Sequence, residues 1–246
     1  MAAFRRIFAT AVIAGLLGGM FSAFVHHFTT TPLILHAEQY ENATSADGKK
    51  HGAVLDRGLT LVAPAFAHGE SHGEAKDAWA PEDGLERTLY TLTAEIVTAV
   101  GFALVLAACF SLSGRAVTGP EGVLWGLAGF GAISLAPALG LPPEVPGSMA
   151  AELVARQSWW FFCVAASTAG LWTLVFRKGM PWIAAGVFLL ALPHAVGAPQ
   201  PTAVGGKVPP EIAGHFVAAS LVTAAVFWCV LGWLSGTFWQ RFSARA

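Results

Sequence analysis

The sequence predicts an all-α protein, a polytopic membrane helix bundle of about six transmembrane helices in which a hairpin recurs. The first observation is composition: of 246 residues, 55% are hydrophobic and 12% are charged, against about 25% charged residues in ordinary soluble domains. The second is a mean hydropathy of +0.59. The third is that the apolar residues are gathered into six runs, each long enough as a helix to approach the roughly 30 Å hydrocarbon core.

The first run is the longest stretch without a charge near the N-terminus. It begins after Arg5 and Arg6 and ends at two adjacent histidines, His26 and His27. Five further runs follow, and we expect the fifth to be the weakest because Pro193 interrupts it. The six predicted spans are residues 7–25, 88–112, 122–141, 159–176, 181–198 and 216–239.

Charge predicts the orientation of these spans. With six spans and an internal N-terminus, the cytoplasmic segments hold seven Lys or Arg residues and one acid, Glu121, as the positive-inside rule requires. We therefore expect both termini to be cytoplasmic. A chain of five spans would place the arginine-bearing C-terminus outside. In this orientation every histidine lies on the outer side or at an outer helix end: His26, His27, His36, His51, His68, His72, His194 and His215.

The chain divides into three predicted parts. Residues 1–35 hold the first transmembrane helix, residues 36–87 form an outer His/Glu-containing loop with little fixed structure, and residues 88–246 form a membrane bundle of about five further helices. Within the bundle, LPPEVPG at residues 141–147 and VPPEIAG at residues 208–214 are similar. We interpret them as repeated turns of hairpins at the outer face. The pairs Gly15/Gly19 and Gly232/Gly236 have the spacing that allows close helix packing.

Histidine and carboxylate side chains on the outer side suggest sites for a divalent ion such as cobalt, nickel, copper or zinc. The sharpest motif is HGESHGE at residues 68–74, which contains His68 and His72. The alternative interpretation of this motif is a solvated polar loop whose histidines occur by chance. His26 and His27 would share one ion only if the helix ends there, as TTTP at residues 29–32 indicates. Their alternative is contact with lipid headgroups.

Further candidates lie at the same face. His36, Glu38 and Glu41 follow the first helix, while His194 and His215 lie at the outer ends of the fifth and sixth spans. Glu95 lies about 10 Å into the second span, where an ionisable group is costly and suggests a function. Its alternative is a carboxyl that stays neutral or pairs with a neighbouring threonine.

Several function classes are disfavoured. A net charge of -1 gives no basis for nucleic-acid binding. The three cysteines fall inside apolar runs without a CxxC motif and so give no support to a disulfide framework or a thiolate metal site. The sequence has no Walker A, GxSxG or dinucleotide-binding fingerprint, so we do not expect an enzyme.

The chain resembles the CbtA family of proposed cobalt transporter membrane subunits. The resemblance rests on segments that cover most of the chain except residues 42–80: FRRIFATAVIAGLLGG, HHF, TPLILHAEQYE, ERTLYTLTAEIVTAVGFALVL, LPPEVPG, AAELVARQSWW, LPHAVGAP and VPPEIAGHFVAASLVTAAVFW. It implies bacterial inner-membrane cobalt uptake linked to cobalamin synthesis, beside a small single-span partner, CbtB, with a histidine-rich tail. The family is usually described with five membrane segments and supplies no ligand residues.

The sequence therefore favours a membrane subunit that takes up Co²⁺, with Ni²⁺ as the other candidate ion. The outer loop would concentrate the metal, His26, His27, His194 and His215 with Glu38 or Glu41 would receive it, and Glu95 would be the next carboxylate inward. Two alternatives stay open. One is a haem-binding or other redox membrane subunit, and the other is a metal-capture or scaffold subunit that does not transport.

Overall fold

The computed structural model describes residues 2–48, 81–82, 84–202, 206 and 208–244, without the side chains of residue 2 and residues 41–48. The regular structure in these ranges is helical. The helices are α1 (Ala2–Phe28), α2 (Thr30–Gly48), α3 (Leu85–Ser113), α4 (Gly119–Ala138), α5 (Leu153–Phe176), α6 (Met180–Val196) and α7 (Pro210–Ser243).

The predicted helical membrane bundle is confirmed. Five of these helices, α1, α3, α4, α5 and α7, are long and apolar enough to cross a membrane. The predicted fifth span is α6, a shorter apolar helix of 17 residues, which is the lower limit of the usual length. Its Pro193 lies inside the helix, which continues to Val196. We call the end of the bundle that carries His26 the outer end, and the end that carries Arg6 the inner end.

Local sequence explains where the helices begin and end. Thr118 and Glu121 form a reciprocal capping box at the start of α4, and Glu152 accepts hydrogen bonds from the backbone N–H groups of Val154 and Ala155 at the start of α5. These contacts satisfy donors that a helix N-terminus leaves unpaired. Gly114 ends α3 at a φ of +63°, a conformation that glycine adopts without steric cost.

The described part of the predicted outer loop differs from the expectation, because residues 36–48 belong to helix α2. Pro32 lies in the first turn of α2, where its missing N–H costs nothing. Ala37 is fully buried and packs with Val145, Val208 and Ile212. The polar composition of this segment concealed a helix that is held partly by the buried side chain of Ala37. Residues 49–80 lie outside the described residues.

The same cluster joins the two similar turns. Val145 belongs to the first of the two similar segments, residues 141–147, and Val208 to the second, residues 208–214. Next to them, Ser148 forms an isolated antiparallel bridge with Gly206. Both turns therefore lie together at the outer end, against α2.

Glycines set the closest helix contacts, as their spacing predicts. A methyl group at Gly19 of α1 would lie 2.5 Å from the Cα atom of Ile96 on α3, and one at Gly15 would lie 2.6 Å from Cγ2 of Val100. Methyl groups at Gly232 and Gly236 of α7 would overlap the backbone carbonyls of Gly122 and Thr118 beside α4. The contact between α1 and α3 is the one that positions the candidate site.

Candidate metal centre

A histidine and a carboxylate from different helices meet near the outer end of the bundle. Nε2 of His26, on α1, lies 3.6 Å from Oε1 of Glu95, on α3, and the side chains are 28% and 25% exposed. The distance exceeds the 2.7–3.2 Å of an ordinary N–H···O hydrogen bond. The two groups therefore face each other across a gap without bonding directly.

Thr30 fixes the orientation of the imidazole. Its hydroxyl oxygen lies 2.6 Å from Nδ1 of His26, and its side chain is only 3% exposed. If Nδ1–H donates to that hydroxyl, Nε2 carries a lone pair and points toward Glu95. Histidine ligands of metals commonly hold their second ring nitrogen in such a hydrogen bond, which fixes both tautomer and ring orientation.

The gap has dimensions that suit an ion. With metal–ligand bonds of about 2.0–2.2 Å, as for zinc, a separation of 3.6 Å corresponds to a ligand–metal–ligand angle of about 110–130°. That range includes tetrahedral coordination. One imidazole nitrogen and one carboxylate oxygen are ligands that borderline first-row ions accept.

A pair of threonine hydroxyls ties this region to α7. Oγ1 of Thr29 lies 2.8 Å from the carbonyl oxygen of Val25, to which it donates, and 3.2 Å from Oγ1 of Thr223. Since the Thr29 proton is directed to Val25, the Thr223 hydroxyl donates to Thr29. The turn between α1 and α2 is therefore anchored on a third helix, directly beside His26.

The Glu38 carboxylate is already bound to an arginine. Its two carboxylate oxygens accept hydrogen bonds from Arg87, at 2.6 Å and 3.0 Å, in the bidentate geometry that strengthens such pairs. The ion pair joins α2 to the first turn of α3. Metal binding by Glu38 would first require the loss of this pair. Glu41 lies in α2, and its side chain is not described.

The other predicted histidines are spread over the outer end. His27 is exposed beside the ring of Phe28, and His36 is exposed beside Tyr40. His194 packs edge-on against Trp159, and His215 is exposed near the start of α7. His68 and His72 lie outside the described residues.

The structure thus brings together one pair from the predicted set, His26 and Glu95. Within the described ranges no three His, Cys, Asp or Glu side chains converge on one point. Sequence reasoning missed the contribution of Thr30. The signal was present, because Thr30 lies only four residues after His26, across the one-residue turn that separates α1 from α2.

A comparison with protein families matches residues 4–240 to CbtA, described as "Probable cobalt transporter subunit (CbtA)". No curated protein and no solved structure matches the chain. Because the family match spans nearly the whole sequence, the chain belongs to the CbtA family, and the resemblance stated from the sequence is confirmed.

Proposed function

We propose that this chain is the ion-admitting membrane subunit of a Co²⁺ uptake system, with Ni²⁺ as a competing substrate. In this proposal it acts without catalysis, in the inner membrane of a bacterium, and supplies cobalt for cobalamin synthesis. The observation that carries the proposal is the 3.6 Å gap between His26 Nε2 and Glu95 Oε1 within the outer part of the bundle. Its support from the comparisons is membership of a family of probable cobalt transporter subunits.

The chemistry of the pair fits a transported ion. A transport site must bind strongly enough to receive the ion and weakly enough to release it. One imidazole and one carboxylate provide two bonds, and the rest of the coordination shell stays open to water or to other ligands. Such a mixed site would exchange Co²⁺ more readily than a closed thiolate site.

The coordination positions that His26 and Glu95 leave open on the ion suggest a role for a partner protein. We infer that a small single-span subunit with a histidine-rich tail, similar to CbtB, supplies further imidazoles at the outer end. His68 and His72 of this chain would serve the same purpose before the ion reaches His26.

Arginines support the proposed orientation, with both termini in the cytoplasm. Arg6 stacks on Trp239, Arg115 on Phe176 and Arg177 on Trp182. Cationic and aromatic side chains together are typical of a membrane interface, and an excess of Lys and Arg is typical of the cytoplasmic one.

Flux measurements test the proposal. Proteoliposomes carrying the wild type, Glu95→Gln or His26→Gln are assayed for radioactive Co²⁺ uptake, with and without the small partner. His27→Gln is the matched control, since the adjacent histidine is exposed and does not face Glu95. We expect loss of uptake for the first two variants and retention for the control.

Two results would contradict the proposal. Equal uptake by all variants would place the path elsewhere in the chain. Cobalt binding that depends on His26 and Glu95, without uptake under any condition, would instead identify a metal-capture subunit.

A further inference from the structure

A cavity of about 310 Å³ lies at the inner end of the bundle, opposite the His26–Glu95 pair. Its volume falls at the lower limit of ligand pockets, which are about 300–1,000 Å³. It is open to the surface and is lined by the start of α1, the end of α3, the α3–α4 loop and the end of α7. The polar side chains of its lining are Arg6, Ser111, Arg115, Thr118, Gln240 and Ser243.

Arg6 is held rigidly beside this cavity. Its guanidinium group stacks on Trp239 at 3.7 Å from the ring centroid, and Nη1 donates a 3.0 Å hydrogen bond to the Ser243 hydroxyl. Its Nε atom is buried and has no hydrogen-bond partner among the described residues. A buried N–H group without an acceptor costs free energy, so the site is short of one acceptor.

The second cation is Arg115, whose guanidinium group stacks on Phe176 at 4.7 Å. The described lining holds no acidic side chain. Glu121, in the first turn of α4, accepts through Oε2 from the Thr118 backbone N–H at 2.8 Å and from its hydroxyl at 2.9 Å, so this oxygen is occupied by the cap. The lining itself therefore combines two guanidinium groups with hydroxyl side chains, while the Glu121 carboxylate lies outside it.

We propose that this cavity binds a phosphate group, either of an anionic lipid headgroup or of a free phosphate. Arginine binds phosphate oxygens in a planar, charge-assisted geometry, and the Ser111 hydroxyl in the lining is a further donor. The Ser243 hydroxyl donates to the Trp239 carbonyl oxygen at 2.7 Å and so serves to hold Arg6 in place. The cavity lies where α1 begins and α7 ends, and in the proposed orientation that end faces both sources. This site is separate from the proposed metal path, and its failure would leave that path untouched.

Thermal unfolding in detergent tests the proposal with three probes: short-chain phosphatidylglycerol, inorganic phosphate against chloride at equal ionic strength, and dioctanoylglycerol as a lipid without phosphate. The variants are Arg6→Gln and Arg115→Gln. The control is Arg241→Gln, which removes an exposed arginine of α7 that does not line the cavity.

We expect a saturable rise in Tm with a phosphate-bearing probe and none with dioctanoylglycerol. Each cavity variant should weaken the apparent affinity by about 10-fold or more, the usual effect of one charged hydrogen-bonding group, while Arg241→Gln responds like the wild type. A rise with phosphatidylglycerol alone identifies a lipid headgroup, and an equal rise with inorganic phosphate identifies a soluble ligand.

The proposal is overturned if neither phosphate-bearing probe raises the Tm, or if Arg115→Gln responds like the wild type. Arg115 lies in a loop, so its variant remains informative even if Arg6→Gln fails to fold.

Discussion

Replacing Gly19 by alanine should separate α1 from α3 and so widen the gap between His26 and Glu95. The added methyl group would lie 2.5 Å from Ile96 Cα and 2.9 Å from the backbone oxygen of Glu95. Carbon atoms prefer separations of about 3.5–4.0 Å, so the helices must move apart locally by about 1.0–1.5 Å. These neighbours are backbone atoms, which cannot rotate away.

The expected consequence for the metal follows from the same distances. A shift of that size would take the 3.6 Å separation to about 4.6–5.1 Å, whereas one ion with bonds of about 2.0–2.2 Å bridges at most about 4.0–4.4 Å. We therefore expect Co²⁺ affinity to fall about 10-fold to 100-fold, as when the support of a ligand is lost. Overpacking should also cost about 1–3 kcal/mol of stability.

The assay is Co²⁺ titration of purified protein, with Tm measured in parallel. Gly101→Ala is the control, because a methyl group there on α3 meets no atom within 4 Å. It should stabilise by up to about 1 kcal/mol through helix propensity alone and leave Co²⁺ affinity unchanged. The reasoning is refuted if Gly19→Ala keeps the affinity and Tm of the wild type.

Three further predictions concern contacts around the site. Thr30→Val should lower Co²⁺ affinity about 10-fold or more, measured by titration, because His26 loses the hydroxyl that orients its ring; unchanged affinity would contradict that role. A double-mutant cycle of Glu38→Gln and Arg87→Gln, measured by chemical unfolding, should give a coupling free energy of about 0.5–2 kcal/mol. A coupling of zero would mean that the pair does not hold α2 to α3. Burial raises the pKa of Glu144 and outweighs the opposing effect of its 2.8 Å ion pair with Arg156, so the folded state binds its proton more tightly than the unfolded state. As the pH falls from the raised pKa of the folded state toward the ordinary pKa of glutamate, the wild type should gain stability relative to Glu144→Gln. Plots of Tm against pH that run parallel for the two proteins would refute this.

The helices and their closest contacts could be predicted because their signals are local. An apolar run of membrane length is visible in one stretch of sequence, and so is the spacing of Gly15 and Gly19. The partners of these glycines, Val100 and Ile96, could not be read from the sequence, because the register between two non-consecutive helices depends on the packing of the whole bundle.

The candidate site was predictable only in its chemistry. The grouping of histidines at one end of the predicted bundle, and the choice of Glu95 as a carboxylate inside a span, were predictions from topology and charge. The selection of His26 over His27 depends on which side of α1 faces α3. The engagement of Glu38 depends on Arg87, which lies 49 residues further along the chain and pairs with it only when α2 and α3 meet.

The central claim is that one ion binds between His26 and Glu95. X-ray absorption at the cobalt K edge tests it most directly, with the wild type, His26→Gln, Glu95→Gln and His27→Gln each loaded with one equivalent of Co²⁺. We predict that His26→Gln loses one imidazole ligand and that Glu95→Gln changes the oxygen shell, while His27→Gln gives the wild-type spectrum. An unchanged spectrum for His26→Gln, together with a lost imidazole in His27→Gln, would contradict the account.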